Sequence, residues 1–245
     1  MRSARQVLIF SPAVFFAVRT APTTRLGRAI HRAPATRLAD TLSITKLKAD
    51  NAVALTFDDG PDQQVDAFLS LLEEAEARAT FFVVGEQIEH APSRLQEMIS
   101  CGHEIGIHCY HHRDHLSLTP RQAVEDMRRA KETIEEAAQR PVRLFRPPYG
   151  RFSLASWLEA GRQGWERVLW TRSPDDWDPR ATPQSIANKI GWPEAGDILL
   201  FHDSNRYFSV PSSSHHTLGV LPAILERIAT LGLIARSVGE LLSVE

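Results

Sequence analysis

What most constrains the fold of this chain is the order of its apolar runs from residue 51 onward. Short runs at 51–57, 79–84, 104–108, 144–146, 167–170, 197–201 and 233–235 alternate with stretches of helical period at 65–77, 92–100, 120–140, 153–162, 183–190, 218–231 and 238–242. Seven strands separated by helices predict a parallel sheet covered by helices, either an open doubly wound sheet or a barrel. Both architectures gather working side chains at the carboxyl ends of the strands. Asp58, Asp59, His108, His112, Arg146, Asp176 and His202 all fall at or just beyond a predicted strand end.

The first of those ends reads Thr56-Phe57-Asp58-Asp59-Gly60-Pro61. Side chains alternate along a strand, but where the chain turns, two successive carboxylates can reach one cavity with different roles. Gly60-Pro61 supplies such a turn. Beyond the third strand, His108-Cys109-Tyr110-His111-His112 sets two imidazoles four residues apart. With one carboxylate from the first strand they make a donor set suited to zinc or another divalent transition metal, with a position left open for water. At this level His111 and His115 keep the choice of imidazole pair open. Taken singly, each residue also fits a structural role: an Asp as helix cap, Arg146 at a rigid turn before Pro147-Pro148, His202-Asp203 as a polar pair.

At 245 residues the chain can bury a core without disulfides, and Cys101 and Cys109 lack the spacing of a disulfide framework or structural zinc module. Charge is uneven. Residues 1–50 hold nine Lys and Arg against Asp40 and Asp50, whereas the remainder holds nineteen against twenty-eight acidic residues. An acidic body with no basic stripe argues against a nucleic-acid partner. The apolar stretch 7–18 follows Arg2 and Arg5 and has the character of an export signal, but it is too short to span a bilayer and no clear cleavage site follows. Residues 1–50 are therefore read as a separate segment, either signal-like or lying on a membrane surface, a disordered basic tail, or an extra helix packed on the domain, and 51–245 as the catalytic domain.

Thr-Phe-Asp-Asp-Gly-Pro, His-x-x-x-His, Arg146-Pro147-Pro148-Tyr149-Gly150, Asp176-Trp177 and Leu200-Phe201-His202-Asp203 occur in that order. The set resembles the five motifs of the NodB-homology polysaccharide deacetylases, carbohydrate esterase family 4, over residues 51 to about 242. The resemblance implies an α/β fold, a distorted (β/α) barrel with about seven parallel strands, and metal-dependent removal of acetyl groups from N-acetylated sugars. Carried over by position, it implies Asp59, His108 and His112 as metal ligands and Asp58 as general base. Arg146 would hold Asp58, and Asp176 would orient His202 as general acid. Tyr149, Trp177 and Leu200 would contact the substrate, Tyr149 with a backbone N–H beside the oxyanion.

The chemistry agrees with that allocation. A bound divalent ion lowers the pKa of water and polarises the carbonyl, a carboxylate takes the proton, and a histidine protonates the departing amine. Expected from this reading are one divalent ion, zinc first and cobalt or manganese next, and an N-acetylglucosamine glycan of peptidoglycan or chitin type. A cell-envelope or secreted location is favoured over the cytoplasm. Hydrolysis of a small non-peptide amide on the same scaffold, or a glycan-binding relic without turnover, are the rival readings. Ser173, Pro174, His111 and Arg113 depart from the usual pattern, and 205–216 reads as a long polar loop. Trp165, Trp170, Trp177 and Trp192 are possible sugar-stacking surfaces.

Overall fold

The computed structural model describes residues 42–207 and 213–243. Its strands are β1 (Ala52–Asp58), β2 (Thr80–Val83), β3 (Glu104–Ile107), β4 (Leu144–Phe145), β5 (Glu166–Arg167), β6 (Ile198–His202) and β7 (Ile234–Arg236). Helices α1 (Val65–Glu74), α2 (Gly85–His90), α3 (Pro92–Ser100), α4 (Pro120–Ala138), α5 (Leu154–Arg162), α6 (Pro183–Ile190), α7 (Ser213–Thr230) and α8 (Val238–Leu242) lie between and after them. The strand order is β5-β4-β3-β2-β1-β6, with β7 beside the opening half of β1, and every pairing is parallel. Past β5 the chain stays extended, and Arg172 bridges to Leu199 of β6. That bridge curls the sheet toward a closed, distorted barrel, as the motif resemblance implies.

Every residue of β1 is buried, because alternate side chains enter two different cores. Val53, Leu55 and Phe57 join the layer between sheet and helices, while Ala54 joins Phe82, Leu144, Val168 and Ile198 in a smaller inner cluster. Thr56 and Asp58 share the inner face with Ala54. The barrel interior therefore changes from apolar at the amino end to polar at the carboxyl end. Thr119 and Thr182 cap α4 and α6 as their sequences predict, each with a side-chain oxygen on the third helical N–H and a proline in the first turn.

Some elements differ from the sequence reading. Gly85 reads as a stop after β2 but opens the short helix α2. A Cβ there would lie 2.9 Å from the Tyr110 ring, so this glycine serves close packing. Residues 213–216, read as loop, form the first turn of α7, where Ser214 donates to Gln64 at 2.6 Å. That long-range bond outweighs the weak helix propensity of a Ser-Ser-His-His run. Ahead of β1, Ile44 bridges to Val168, Lys46 to Asp197, and Leu47 is buried, so the packed domain reaches back before residue 51. The signal-like stretch 7–18 lies outside the described residues, among which no helix is long and apolar enough to cross a membrane.

Candidate active site

The polar end of the barrel is built from the ends of β1, β3, β4 and β6. Beyond β1 the chain turns at Asp59, whose φ of 82° is left-handed and brings its carboxylate beside that of Asp58. Gln87 Nε2 donates to the Asp59 carbonyl at 2.9 Å and pins the turn. A Cβ at Gly60 would stand 2.0 Å from the Asp203 carboxylate, so only glycine fits here.

Facing Asp59 are His108 and His112, their Nε2 atoms 3.3 and 3.1 Å from Asp59 Oδ1. Nδ1 of His108 lies 2.8 Å from the Arg146 carbonyl. A carbonyl only accepts, so Nδ1 carries a proton and Nε2 is the nitrogen turned toward Asp59. Both Asp59 carboxylate oxygens are buried and, among the described residues, accept no hydrogen bond of good geometry. Burial alone would raise the Asp59 carboxyl, but the facing His112 and His108 imidazoles hold it well below the usual carboxylate range. One carboxylate and two imidazole nitrogens thus converge, which is the donor set of a divalent transition metal.

Asp58 points to the same space from the inner face of β1. Its Oδ1 accepts from Arg146 Nη1 at 2.6 Å, while Oδ2 lies 3.8 Å from His108 Nε2. Arg146 has no exposed surface. It also donates to Thr56 Oγ1 at 2.9 Å and to the carbonyls of Leu169 and Val168 at 2.9 and 3.3 Å, and it lies over the Phe82 ring. The guanidinium is therefore fixed from four sides and spends one N–H on Asp58.

Asp58 and His202 are register partners on β1 and β6. His202 Nδ1 is 2.6 Å from Asp176 Oδ1, and Asp176 Oδ2 accepts from the His202 backbone N–H at 2.9 Å and from Thr217 Oγ1 at 2.7 Å. Burial opposes a charge on His202, but the carboxylate of Asp176, aided by Asp59 and Asp58, overrides it and pushes the imidazole up to about 10. Asp58 and His202 therefore stand on adjacent strands beside the triad, one paired with the Arg146 guanidinium and the other with the Asp176 carboxyl group. Thr217, absent from the sequence reading, is the third partner of Asp176. Only the fold reveals it, since α7 carries it back over the barrel end.

The expected substrate contacts divide. Tyr149 and Trp177 are 53 % and 46 % exposed at the rim, whereas Leu200 is buried on the inner face of β6, two residues before His202. Trp165 is buried and Trp170 half-buried; Trp192 is exposed but lies in the connection entering β6, before the amino end of the strand whose carboxyl end carries His202. His111 and His115 point away from Asp59. His111 Nδ1 meets Asp126 at 2.9 Å, and His115 Nε2 meets Cys109 Sγ at 3.0 Å.

Asp126, on α4, also accepts from the backbone N–H groups of Tyr110 and His111 at 3.0 and 3.2 Å. Burial pushes the Cys109 thiol up and lowers His115 to about 4, so these two form a neutral, hydrogen-bonded pair beside the histidine loop. Thr217, Tyr207 and Asp126 are the residues near the site that sequence reasoning missed. Each acts across the fold, at separations that no local pattern records.

A family model described as polysaccharide deacetylase matches residues 46–168. The chain belongs to the polysaccharide deacetylase family. It is 30% identical over 196 residues to the peptidoglycan-N-acetylglucosamine deacetylase of Bacillus cereus, covering 79% of this chain and 89% of that protein. Among solved structures it is similar to a family 4 carbohydrate esterase from Streptomyces lividans in complex with acetate, at TM-score 0.68 and 27% identity, covering 77% of this chain and 93% of that one. A family 4 pseudoenzyme from Bacillus anthracis shares the fold at TM-score 0.71 and 23% identity, covering 83% of this chain and 71% of that one. As a polysaccharide deacetylase the chain is a hydrolase acting on N-acetyl amide bonds.

Proposed function

We propose that this polysaccharide deacetylase removes acetyl groups from N-acetylglucosamine units of a peptidoglycan- or chitin-like glycan, with one divalent ion, zinc first, held by Asp59, His108 and His112. The observation that carries the reading is the pair of oppositely prepared groups around that triad: Asp58 held by Arg146, and His202 held by Asp176. When bound there, the ion supplies Lewis acidity, which acidifies water and polarises the acetyl carbonyl. Asp58 takes the proton of the attacking water on Oδ2, because Oδ1 is engaged by Arg146. His202 begins the reaction as an imidazolium and passes its Nε2 proton to the departing amine, while Asp176 keeps Nδ1 protonated and the ring in place. Leu200, beside His202 on the inner face of β6, lines the pocket for the acetyl methyl; Tyr149 and Trp177 meet the sugar at the rim.

The test is acetate release from N-acetylglucosamine oligomers by the purified chain, before and after chelation and with zinc, cobalt or manganese restored. Chelator-sensitive release that returns with metal supports the reading. Metal binding without release would shift the substrate to a small amide, and a chain that binds glycan but no metal would be a relic.

The same proposal extends to location. The basic residues 1–50 would hold the enzyme at the cell envelope, against an anionic membrane surface. Equal binding to anionic vesicles by the full chain and by a chain lacking residues 1–41 would rule that out.

A further inference from the structure

The two candidate ligand histidines differ in what fixes their rings. A ligating imidazole is ordinarily oriented by a hydrogen bond from its other nitrogen. His108 has one, to the Arg146 carbonyl at 2.8 Å. Nδ1 of His112 is buried and has no hydrogen-bond partner among the described residues. Its ring instead meets two others. Tyr149 approaches from the rim with ring centroids 4.7 Å apart and planes tilted by 59°, while Tyr207 lies nearly parallel, at 4.5 Å and 22°.

Tyr207 has no evident reason of its own to sit there. Its phenol oxygen is buried and makes no hydrogen bond of good geometry among the described residues, and burial beside Asp59 holds the phenol well above its ordinary value, as a neutral group. A buried hydroxyl without a partner is a cost. The compensating contact is the face of the Tyr207 ring on the face of His112. Tyr207 follows the end of β6, so the strand that carries His202 also supplies the ring that covers the ligand on β3's loop.

We propose that Tyr207 is a positioning residue for the metal ligand His112, replacing by stacking the hydrogen bond that His112 lacks, with Tyr149 as a second, tilted contact. The inference rests on the metal-site reading above. It concerns ring orientation, so the flat ring of Tyr207 matters and its hydroxyl does not.

The experiment is zinc and cobalt affinity of the full chain, measured by competition with a chromophoric chelator for the wild type, Tyr207→Phe, Tyr207→Leu and Tyr207→Ala, with thermal unfolding of each metal-free protein alongside. Tyr207→Phe keeps wild-type affinity. Tyr207→Leu and Tyr207→Ala bind metal about 10–100-fold more weakly, the range for loss of a group that orients a ligand. Tyr207→Leu retains bulk and carries the test if the alanine variant does not fold. Wild-type affinity in the leucine and alanine variants would overturn the inference and leave the deacetylase reading standing; a loss in Tyr207→Phe as large as in Tyr207→Ala would overturn it in favour of the hydroxyl. A wild-type chain that binds neither ion would overturn both.

Discussion

Arg146 Nη1 lies 2.6 Å from Asp58 Oδ1, and the two side chains are 0% and 4% exposed. A buried ion pair of this kind is costly to break on one side, because the remaining charge stays desolvated and unpaired. Arg146→Ala should therefore destabilise the protein by about 3–5 kcal/mol, read from the urea midpoint of the metal-free chain. Arg146→Lys should fall between, since an ammonium keeps the charge but cannot reach Asp58, Thr56 and both carbonyls at once. A midpoint for Arg146→Ala close to that of the wild type would mean the pair carries little of the fold.

The carboxylates Asp58 and Asp59 are adjacent in sequence but separate in role. Asp58→Asn should abolish turnover and leave metal binding intact, because Oδ2 faces the triad without belonging to it. His112→Ala should weaken both. Metal titrations run beside acetate-release assays distinguish the two, and equal metal loss in both variants would refute the division.

The His202–Asp176 pair predicts a dependence on pH with a definite sign. His202 is pushed up to about 10 in the folded chain against an ordinary 6.5, so folding favours its protonated form. The stabilisation is complete below about pH 6.5 and is lost as pH rises through about 10. Metal-free wild type should lose stability over that interval relative to His202→Gln, as followed by unfolding midpoints at a series of pH values. In turnover, Asp176→Asn should bring the alkaline limb of kcat down toward neutrality and lower kcat by about 10²–10⁴, the usual worth of general acid catalysis. An unmoved limb would remove His202 from the acid role.

Asp126 holds the loop between the two histidines by accepting from the backbone N–H groups of Tyr110 and His111. Asp126→Ala leaves those groups without their acceptor, at about 1–3 kcal/mol for each one that stays buried. The expected outcome is a less stable protein whose 108–112 segment exchanges amide hydrogens faster and whose metal affinity falls. Wild-type exchange in that segment would show that the loop is held by something else.

Much of this architecture was legible before any coordinates. Alternating apolar runs and helical stretches are a local record of burial, so the seven strands and their succession along the chain could be read directly. The acids and histidines stood out because polar residues at the ends of apolar runs are unusual. Helix α2 and the first turn of α7 were not legible. One is too short to show a period, and the other is polar and held by Ser214 on Gln64, 150 residues away.

Periodicity and motif order were enough to settle the strand–helix alternation, the family, and which side chains could meet at the carboxyl end of the sheet. They could not say that His111 turns to Asp126 while His112 turns to Asp59, that Thr217 completes the surroundings of Asp176, or that Tyr207 lies on His112. Local pattern records which residues need burial or a turn. Which partner satisfies each buried polar group depends on side chains brought together from distant strand ends, and that is settled only when the sheet closes.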